Sequence, residues 1–237
     1  MTMPKHVGIA AVTAEGAALC YRTICQEAPA VHPPAAHRRY AHPEVTMHTF
    51  PLSEYMGAIE SGDWTGVGAL LLRSAQKLAD AGARFAICPD NTAHQGLELV
   101  RSDSPIPWLH IAEEIATLAA EHGYGKVGVL GTQWLMEGPV YPAALAAKGI
   151  AAVVPERGVR QRLNEMIMTE LVAGRFDTAT RQYFQQAIEI FQREGCQAVV
   201  LGCTEIPLLI EQADSVLPIL DSTRTLARAA LREALEK

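Results

Sequence analysis

The chain has 237 residues, of which 49% are hydrophobic, and a formal net charge of −6. This composition is typical of a globular protein with one large or two small domains, and not of a disordered chain. The negative charge argues against nucleic acid as the main partner, no apolar run approaches the ~20 residues of a membrane span, and residues 1–5 lack the apolar core of a signal peptide. Because the five cysteines form no CxxC pair, we expect free thiols, no metal site and a cytoplasmic protein.

Short apolar runs alternate with longer amphipathic ones. In the first half the pattern predicts a strand over 6–12, a helix over 15–27, a loop over 28–41, a strand over 45–50, a helix over 64–81, a strand over 84–88 and a helix over 92–101. In the second half it predicts a helix over 111–122, a strand over 126–130, a helix over 135–148, a strand over 151–154, helices over 160–173 and 178–193, strands over 198–201 and 216–220, and a helix over 223–235. This alternation indicates an α/β fold built on parallel sheets.

Two segments of the chain resemble each other. In each, a helix ends at a glycine, an apolar strand follows, and a polar residue stands where the strand ends. Asp90 lies eight positions after Gly82, and Cys203 lies eight positions after Gly195. We therefore expect two related α/β lobes with parallel sheets, the first formed by 1–115 plus 216–237 and the second by 116–215.

Asp90 and Cys203 suggest acid/base chemistry. Ligands of parallel sheets bind at the carboxyl ends of strands, where both residues are predicted to lie. Across a cleft between the two lobes they would face opposite sides of one carbon, which is the geometry that racemisation or epimerisation needs. Each also has a structural interpretation, since Cys203 can be a buried thiol and Asp90 a helix cap.

The neighbouring residues suggest how a substrate carboxylate is held. Asn91, Thr92, Thr204 and Glu205 are predicted at helix starts, where unpaired backbone N–H groups bind anions and favour the thiolate form of Cys203. Two further hydroxyl donors follow the opening strands of the two halves: Thr13 and Thr132.

Several of these stretches resemble a known family. The segments 90–94 (Asp-Asn-Thr-Ala-His) and 201–207 (Leu-Gly-Cys-Thr-Glu-Ile-Pro) are similar to the two signature motifs of the aspartate/glutamate racemase family. Residues 128–132, 162–164 and 221–223 resemble, in turn, its second-half opening, its substrate-anchoring helix and its carboxyl-terminal turn.

The resemblance implies two Rossmann-like domains related by pseudo-two-fold symmetry, a homodimer, and catalysis without pyridoxal phosphate, another cofactor or a metal. In typical members two cysteines exchange the Cα proton on opposite faces. Cys203 matches the second of these cysteines, whereas Asp90 stands at the place of the first. Arg162 replaces the anchoring lysine, which still provides a cation for a carboxylate but as a planar fork.

Asp90 leaves the mechanism open. Beside a substrate carboxylate and a thiolate, its carboxyl is favoured in the protonated form and can donate to one face while Cys203 abstracts from the other. Alternatively it binds the substrate ammonium, or it repels anionic amino acids so that the substrate is neutral or cationic. We favour an amino-acid racemase acting on a small carboxylate, with Glu205 orienting the thiol. The rivals are a one-base decarboxylase or cis–trans isomerase that uses Cys203 alone, and a non-catalytic small-molecule-binding protein.

Overall fold

The computed structural model describes residues 4–31 and 42–236. The chain divides into two compact units, the first comprising Met1–Ile111 and Thr223–Lys237 and the second Ala112–Ser222.

The first unit contains a four-stranded parallel sheet. Its strands are β1 (Val7–Ala11), β2 (Val45–Thr49), β3 (Phe85–Ile87) and β4 (Trp108–Leu109), in the order β2-β1-β3-β4. All residues of β1 and β3 are buried, as expected for central parallel strands covered on both faces. The core of this unit joins these strands to apolar residues near both chain ends: Val7, Ile9, Cys20, Ile24, Phe85, Ile87, Leu226 and Leu231. This packing explains why the last helix returns to the first unit.

The helices of the first unit are α1 (Ala14–Val31), α2 (Leu52–Ser61), α3 (Trp64–Asp80), α4 (His94–Val100) and α11 (Ser222–Leu235). The predicted loop over 28–41 is wrong at its start, because helix α1 continues to Val31 with Ala28 buried. Residues 32–41 lie outside the described residues. Helix α2 was not predicted, although its buried Tyr55 and Ile59 have helical spacing and Gly62, at φ 73°, provides the left-handed C-cap.

Helices α3 and α4 approach each other closely at two glycines. A Cβ added to Gly96 would lie 2.7 Å from the Gly68 nitrogen and 2.8 Å from the Trp64 oxygen, both of which are backbone atoms. Because α4 begins directly after the predicted site at residues 90–92, this contact also fixes where that site lies.

Gly96→Ala is expected to lower the free energy of unfolding by about 2 kcal/mol, because overpacking against fixed backbone outweighs the gain in helix propensity. The matched control is Gly57→Ala on α2, where an added Cβ meets nothing within 4 Å. That control should raise stability by about 0.5 kcal/mol. Urea unfolding of both variants tests the contact, and equal stability of the two would contradict it.

The second unit repeats the strand order of the first. Its strands are β5 (Lys126–Leu130), β6 (Ala151–Val153), β7 (Ala198–Leu201) and β8 (Ile219–Asp221), all parallel, in the order β6-β5-β7-β8. Its helices are α5 (Ile111–Glu121), α6 (Gln133–Glu137), α7 (Val140–Ala146), α8 (Arg157–Met166), α9 (Thr178–Arg193) and α10 (Ile206–Leu209). Among the described residues, no helix has both the length and the apolar character needed to cross a membrane.

Three expectations for the second unit differ from the structure. The helix predicted over 135–148 is two helices, since the chain turns at Gly138 and Pro139. The helix predicted over 160–173 begins earlier, at Arg157, and ends in a π-helical turn, Ile167–Leu171. The lobe boundary expected at residue 216 lies after Ser222, because β8 pairs with β7 of the second sheet.

The similarity of the two segments extends to their backbone hydrogen bonds. Gly82 and Gly195 both have positive φ, at 95° and 81°, and both end the helix that precedes the third strand of their sheet. The next residue in each case donates to a carbonyl five positions back, Ala83 to Leu78 and Cys196 to Phe191. The α/β class with two parallel sheets is thus confirmed, and residues 90 and 203 follow equivalent strands.

Candidate functional site

The first group of predicted site residues lies after β3, in a segment that we call the Asp90 turn (residues 89–93). Asp90 Oδ1 accepts a hydrogen bond from the Ala93 backbone N–H at 2.9 Å. Asn91 and Thr92 are buried in the same turn, with 2% and 8% of their surfaces exposed. Helix α4 starts only at His94 and has seven residues. The expected helix start at Asn91 and Thr92 is therefore a turn that precedes a short helix.

The second group lies after β7, in the Cys203 turn (residues 202–205). Cys203 Sγ donates to Glu205 Oε2 at 3.0 Å, and Thr204 Oγ1 donates to the same oxygen at 2.8 Å. All three side chains are buried, Cys203 with 7% of its surface exposed. Helix α10 has only four residues and begins at Ile206, so its dipole is a weaker influence on the thiol than expected. The immediate partner of the thiol is instead the Glu205 carboxylate.

Glycines allow the ends of β5 and β7 to approach each other. A Cβ at Gly131 would lie 2.9 Å from the Gly202 oxygen, and a Cβ at Gly202 would lie 2.9 Å from the Leu130 oxygen. Ser222 Oγ, from the end of β8, donates to the Leu201 carbonyl at 2.8 Å. These contacts bring three strand ends together and hold the Cys203 turn in place.

The two predicted threonines follow the central strands. Thr13 lies after β1, which pairs with β3, and its carbonyl accepts from Ala17 N–H at 3.3 Å. Thr132 lies after β5, which pairs with β7, and caps α6 by accepting from Leu135 N–H at 3.3 Å. Within each unit, the structure therefore places the predicted residues at neighbouring strand ends.

Arg162 differs from the other predicted residues. It lies on α8 with its side chain about half exposed, and its guanidinium contacts Glu165 Oε2 at 2.5 Å. Asn164 on the same helix reaches the strand ends instead, accepting from Gln133 N–H at 3.0 Å through Oδ1. In the sequence Asn164 stands out only as part of a motif, because a contact between residues 31 positions apart leaves no local pattern. The role of Arg162 as a carboxylate anchor stays a prediction.

A second thiol lies next to the Asp90 turn. Cys88 is fully buried, and burial raises its pKa well above the ordinary value, with the Asp90 charge adding to the shift. Its sulfur lies 3.9 Å from the Asp90 carbonyl oxygen. Cys88 is therefore a neutral thiol at physiological pH.

His110 packs against His94, whose ring contacts the Asp90 carbonyl. It is 4% exposed, and its ring stands edge-on to the His94 ring at 4.4 Å. Burial, followed by the charge of Arg101, lowers the pKa of His110 to about 4. The Glu98 carboxylate lies 3.3 Å from Nε2 but is half exposed, so water screens much of its opposing effect.

This low pKa predicts a stability loss in acid. Unfolded histidine titrates near pH 6.5, so between about pH 6.5 and pH 4 the unfolded state binds a proton that the folded state does not. Stability should fall as the pH falls through this window, by up to ~3 kcal/mol from His110. Urea unfolding of the wild type and of His110→Gln at pH 7.5, 5.5 and 4.5 isolates the contribution of His110 to the pH dependence of stability. A constant difference between the two proteins across pH would contradict it.

Within residues 4–31 and 42–236, no three His, Cys, Asp or Glu side chains come together in the way that a metal ion requires.

The sequence profile of the Asp/Glu/hydantoin racemases matches residues 9–230, which is most of the chain. The chain belongs to the Asp/Glu/hydantoin racemase family. The resemblance noted in the sequence is thereby confirmed.

Individual members show how close the relationship is. The solved structure of a candidate Asp/Glu racemase from Yersinia pestis is 29% identical, with a TM-score of 0.87 over 98% of this chain and 100% of that one. The broad-specificity amino-acid racemase RacX of Bacillus subtilis is 26% identical over 161 residues, covering 68% of this chain and 69% of RacX. The glutamate racemase of Limosilactobacillus reuteri is 27% identical over 150 residues, which are 62% of this chain but only 54% of that enzyme. This family member thus spans about half the length of the glutamate racemase it matches.

The match includes both turns described above, since residues 90–94 and 201–207 fall inside the matched range. Position 90, where the resemblance to the family implies a cysteine, is an aspartate in this chain. The Asp90 carboxylate also has a structural contact, because it accepts a hydrogen bond from the Ala93 N–H.

Proposed function

We propose that this protein is a cofactor-independent amino-acid racemase. The observation that carries the proposal is the buried Cys203 thiol, hydrogen-bonded to the Glu205 carboxylate at the end of β7. A carboxylate at 3.0 Å can receive the thiol proton and leave a thiolate ready to act as a base. Membership of the racemase family and the equivalent strand position of Asp90 support the same assignment.

The proposed reaction inverts one carbon. Cys203 takes the proton from Cα, and the electron pair of the broken C–H bond is delocalised into the substrate carboxylate. Asp90, in its protonated form, then donates a proton to the opposite face and becomes a carboxylate. The reverse reaction, or proton exchange with water, restores both groups, so no oxidant, reductant or cofactor is consumed.

The substrate carboxylate is held in this proposal by hydroxyl and amide donors of the two turns and their neighbouring strand ends: Thr13, Asn91, Thr92, Thr132 and Thr204. Arg162 is the candidate anchor for a carboxylate, and rotation out of its exposed pair with Glu165 would release it for that role. We also propose a cytoplasmic homodimer, on the basis of the family resemblance and of the five free thiols. The substrate in this proposal is a small amino acid. The names of the related glutamate racemases and of the broad-specificity amino-acid racemase RacX indicate which amino acids to test first.

One observation favours a second candidate, a one-base reaction in which Cys203 acts alone. Asp90 Oδ1 is engaged by Ala93 N–H, and a carboxylate that accepts a hydrogen bond is stabilised in its charged form. A charged Asp90 would bind a substrate ammonium instead of donating a proton. Decarboxylation or cis–trans isomerisation of a small carboxylic acid would then be the reaction.

Proton NMR in deuterated buffer tests the proposal. The purified protein is incubated without cofactor with each enantiomer of aspartate, glutamate and then a wider amino-acid panel, and Cys203→Ala is the matched control. Loss of the α-proton signal together with formation of the other enantiomer is the expected result. Exchange with retention would favour the one-base reaction, and no exchange with any amino acid would overturn the racemase assignment.

A further inference from the structure

The His94 side chain connects the Asp90 turn to a second strand end. Nδ1 lies 2.7 Å from the Asp90 carbonyl oxygen, and Nε2 lies 3.2 Å from the Ile111 backbone nitrogen. The residue is fully buried, and both ring nitrogens are engaged. The His94 ring thus bridges the end of β3 and the segment just after β4, both in the first unit.

These two contacts determine where the ring proton lies. The Ile111 N–H can only donate, so Nε2 must accept and carries no proton. The Asp90 carbonyl can only accept, so Nδ1 carries the proton and donates it. His94 is therefore a neutral imidazole with its proton on Nδ1, and the nearly perpendicular His110 ring at 4.4 Å restricts its rotation.

This bridge acts on the residue that the proposed mechanism uses. The backbone carbonyl of Asp90 is held by His94, and its carboxylate is held by Ala93 N–H. Because both the backbone carbonyl and the carboxylate of Asp90 are hydrogen-bonded, this side chain has few alternative positions. Proton transfer to a defined carbon requires a donor that is fixed in this way. The contact to Ile111 in turn anchors the imidazole to a segment 17 residues along the chain.

We infer that His94 is a positioning residue for the proton transfer by Asp90, acting through the Nδ1–H bond to the Asp90 carbonyl. The inference rests on the proposed function, because it assumes that Asp90 exchanges a proton with the substrate. His94 itself exchanges no proton with the substrate in this proposal, and its role is to hold Asp90 in place.

Two conservative variants separate positioning from a general role in stability. The amide nitrogen of His94→Asn can replace Nδ1 and keep the Asp90 contact. The amide oxygen of His94→Gln can replace Nε2 and keep the Ile111 contact, and His94→Phe removes both. If His94 only supports the fold, activity will follow the folded fraction of each variant. If it positions Asp90, activity will follow the Asp90 contact alone.

The expected result is a specific ranking. Inversion by His94→Asn should stay within about threefold of the wild type, whereas His94→Gln and His94→Phe should lose about 100-fold in kcat, the scale that a displaced catalytic group causes. The α-proton exchange that Cys203 performs on one enantiomer should change by no more than about threefold in all of them, because that step does not use Asp90. His122→Asn, at an exposed histidine that contacts the Leu118 carbonyl, is the control for a histidine change elsewhere.

A second measurement needs no turnover. The ¹³C resonance of the Asp90 carboxyl, assigned by its absence in Asp90→Asn, should move in His94→Gln and stay near the wild-type position in His94→Asn. If the wild type exchanges no substrate but this resonance follows the ranking, the proposed function fails, while the control of the Asp90 carboxyl position by His94 stands. The opposite case is a wild type that inverts its substrate while His94→Asn and His94→Gln do not differ in inversion or in the Asp90 carboxyl resonance. The positioning role of His94 is then overturned, and the racemase assignment stands.

Discussion

Cys203→Ala is expected to abolish both inversion and α-proton exchange, with a loss of at least about 10³-fold in kcat, because it removes the thiol that is proposed to take the Cα proton. The buried neighbours of Cys203 are largely aliphatic, so the smaller side chain should be tolerated in the fold. Proton NMR exchange and chiral chromatography measure the two activities separately. Cys196→Ala is the matched control, since Cys196 is also buried in the second unit and burial raises its pKa.

The partner of the thiol can be tested in the same assay. Glu205→Gln keeps an oxygen that accepts from Cys203 and Thr204 but removes the carboxylate that we propose receives the thiol proton. We expect it to lose about 10²-fold in kcat while KM changes little, because proton transfer and not binding is affected. Full activity in Glu205→Gln would show that the carboxylate only orients the thiol. Full activity in Cys203→Ala would overturn the catalytic assignment of Cys203.

Asp90→Asn is expected to abolish inversion but to leave α-proton exchange with one enantiomer of the substrate. The amide cannot donate and regain a proton as a carboxyl does, whereas Cys203 still removes a proton and returns a deuteron on its own face. The amide oxygen can still accept from Ala93 N–H, so the turn should stay intact. Asp90→Ala also removes this bond and should cost about 1 kcal/mol of stability, as the loss of a helix cap does.

Asp90→Cys is the informative companion, because it restores the two-cysteine arrangement implied by the family resemblance. Inversion should persist in that variant while it is absent in Asp90→Asn. If Asp90→Asn inverts its substrate normally, Asp90 is not a proton donor. If it loses exchange as well as inversion, Asp90 is also needed to bind the substrate, as a partner of the substrate ammonium would be.

Much of the fold follows from local sequence patterns. The buried strands β1, β5 and β7 are nearly continuous apolar runs, and helices α3, α9 and α11 have clear 3.6-residue periodicity, so these elements were predicted within a few residues. The two-residue strand β4 has no detectable pattern, since so short a strand is defined by pairing with β3. Strand β8 was predicted as a strand but assigned to the wrong lobe, because its partner β7 cannot be read from its own residues.

For the candidate site, the sequence by itself determined which residues stand at the strand ends. The spacing from Gly82 to Asp90 and from Gly195 to Cys203 fixes a helix end, a strand and a polar turn, and all of these are short-range features. Only the tertiary structure decided what those residues contact. The turn around Cys203 could have placed Glu205 away from the thiol, and the ring of His94 finds its second partner 17 residues away. Side-chain partners depend on how strands and helices pack, and the physical reason is that a hydrogen bond needs its two atoms within about 3 Å, a condition that local propensity does not control.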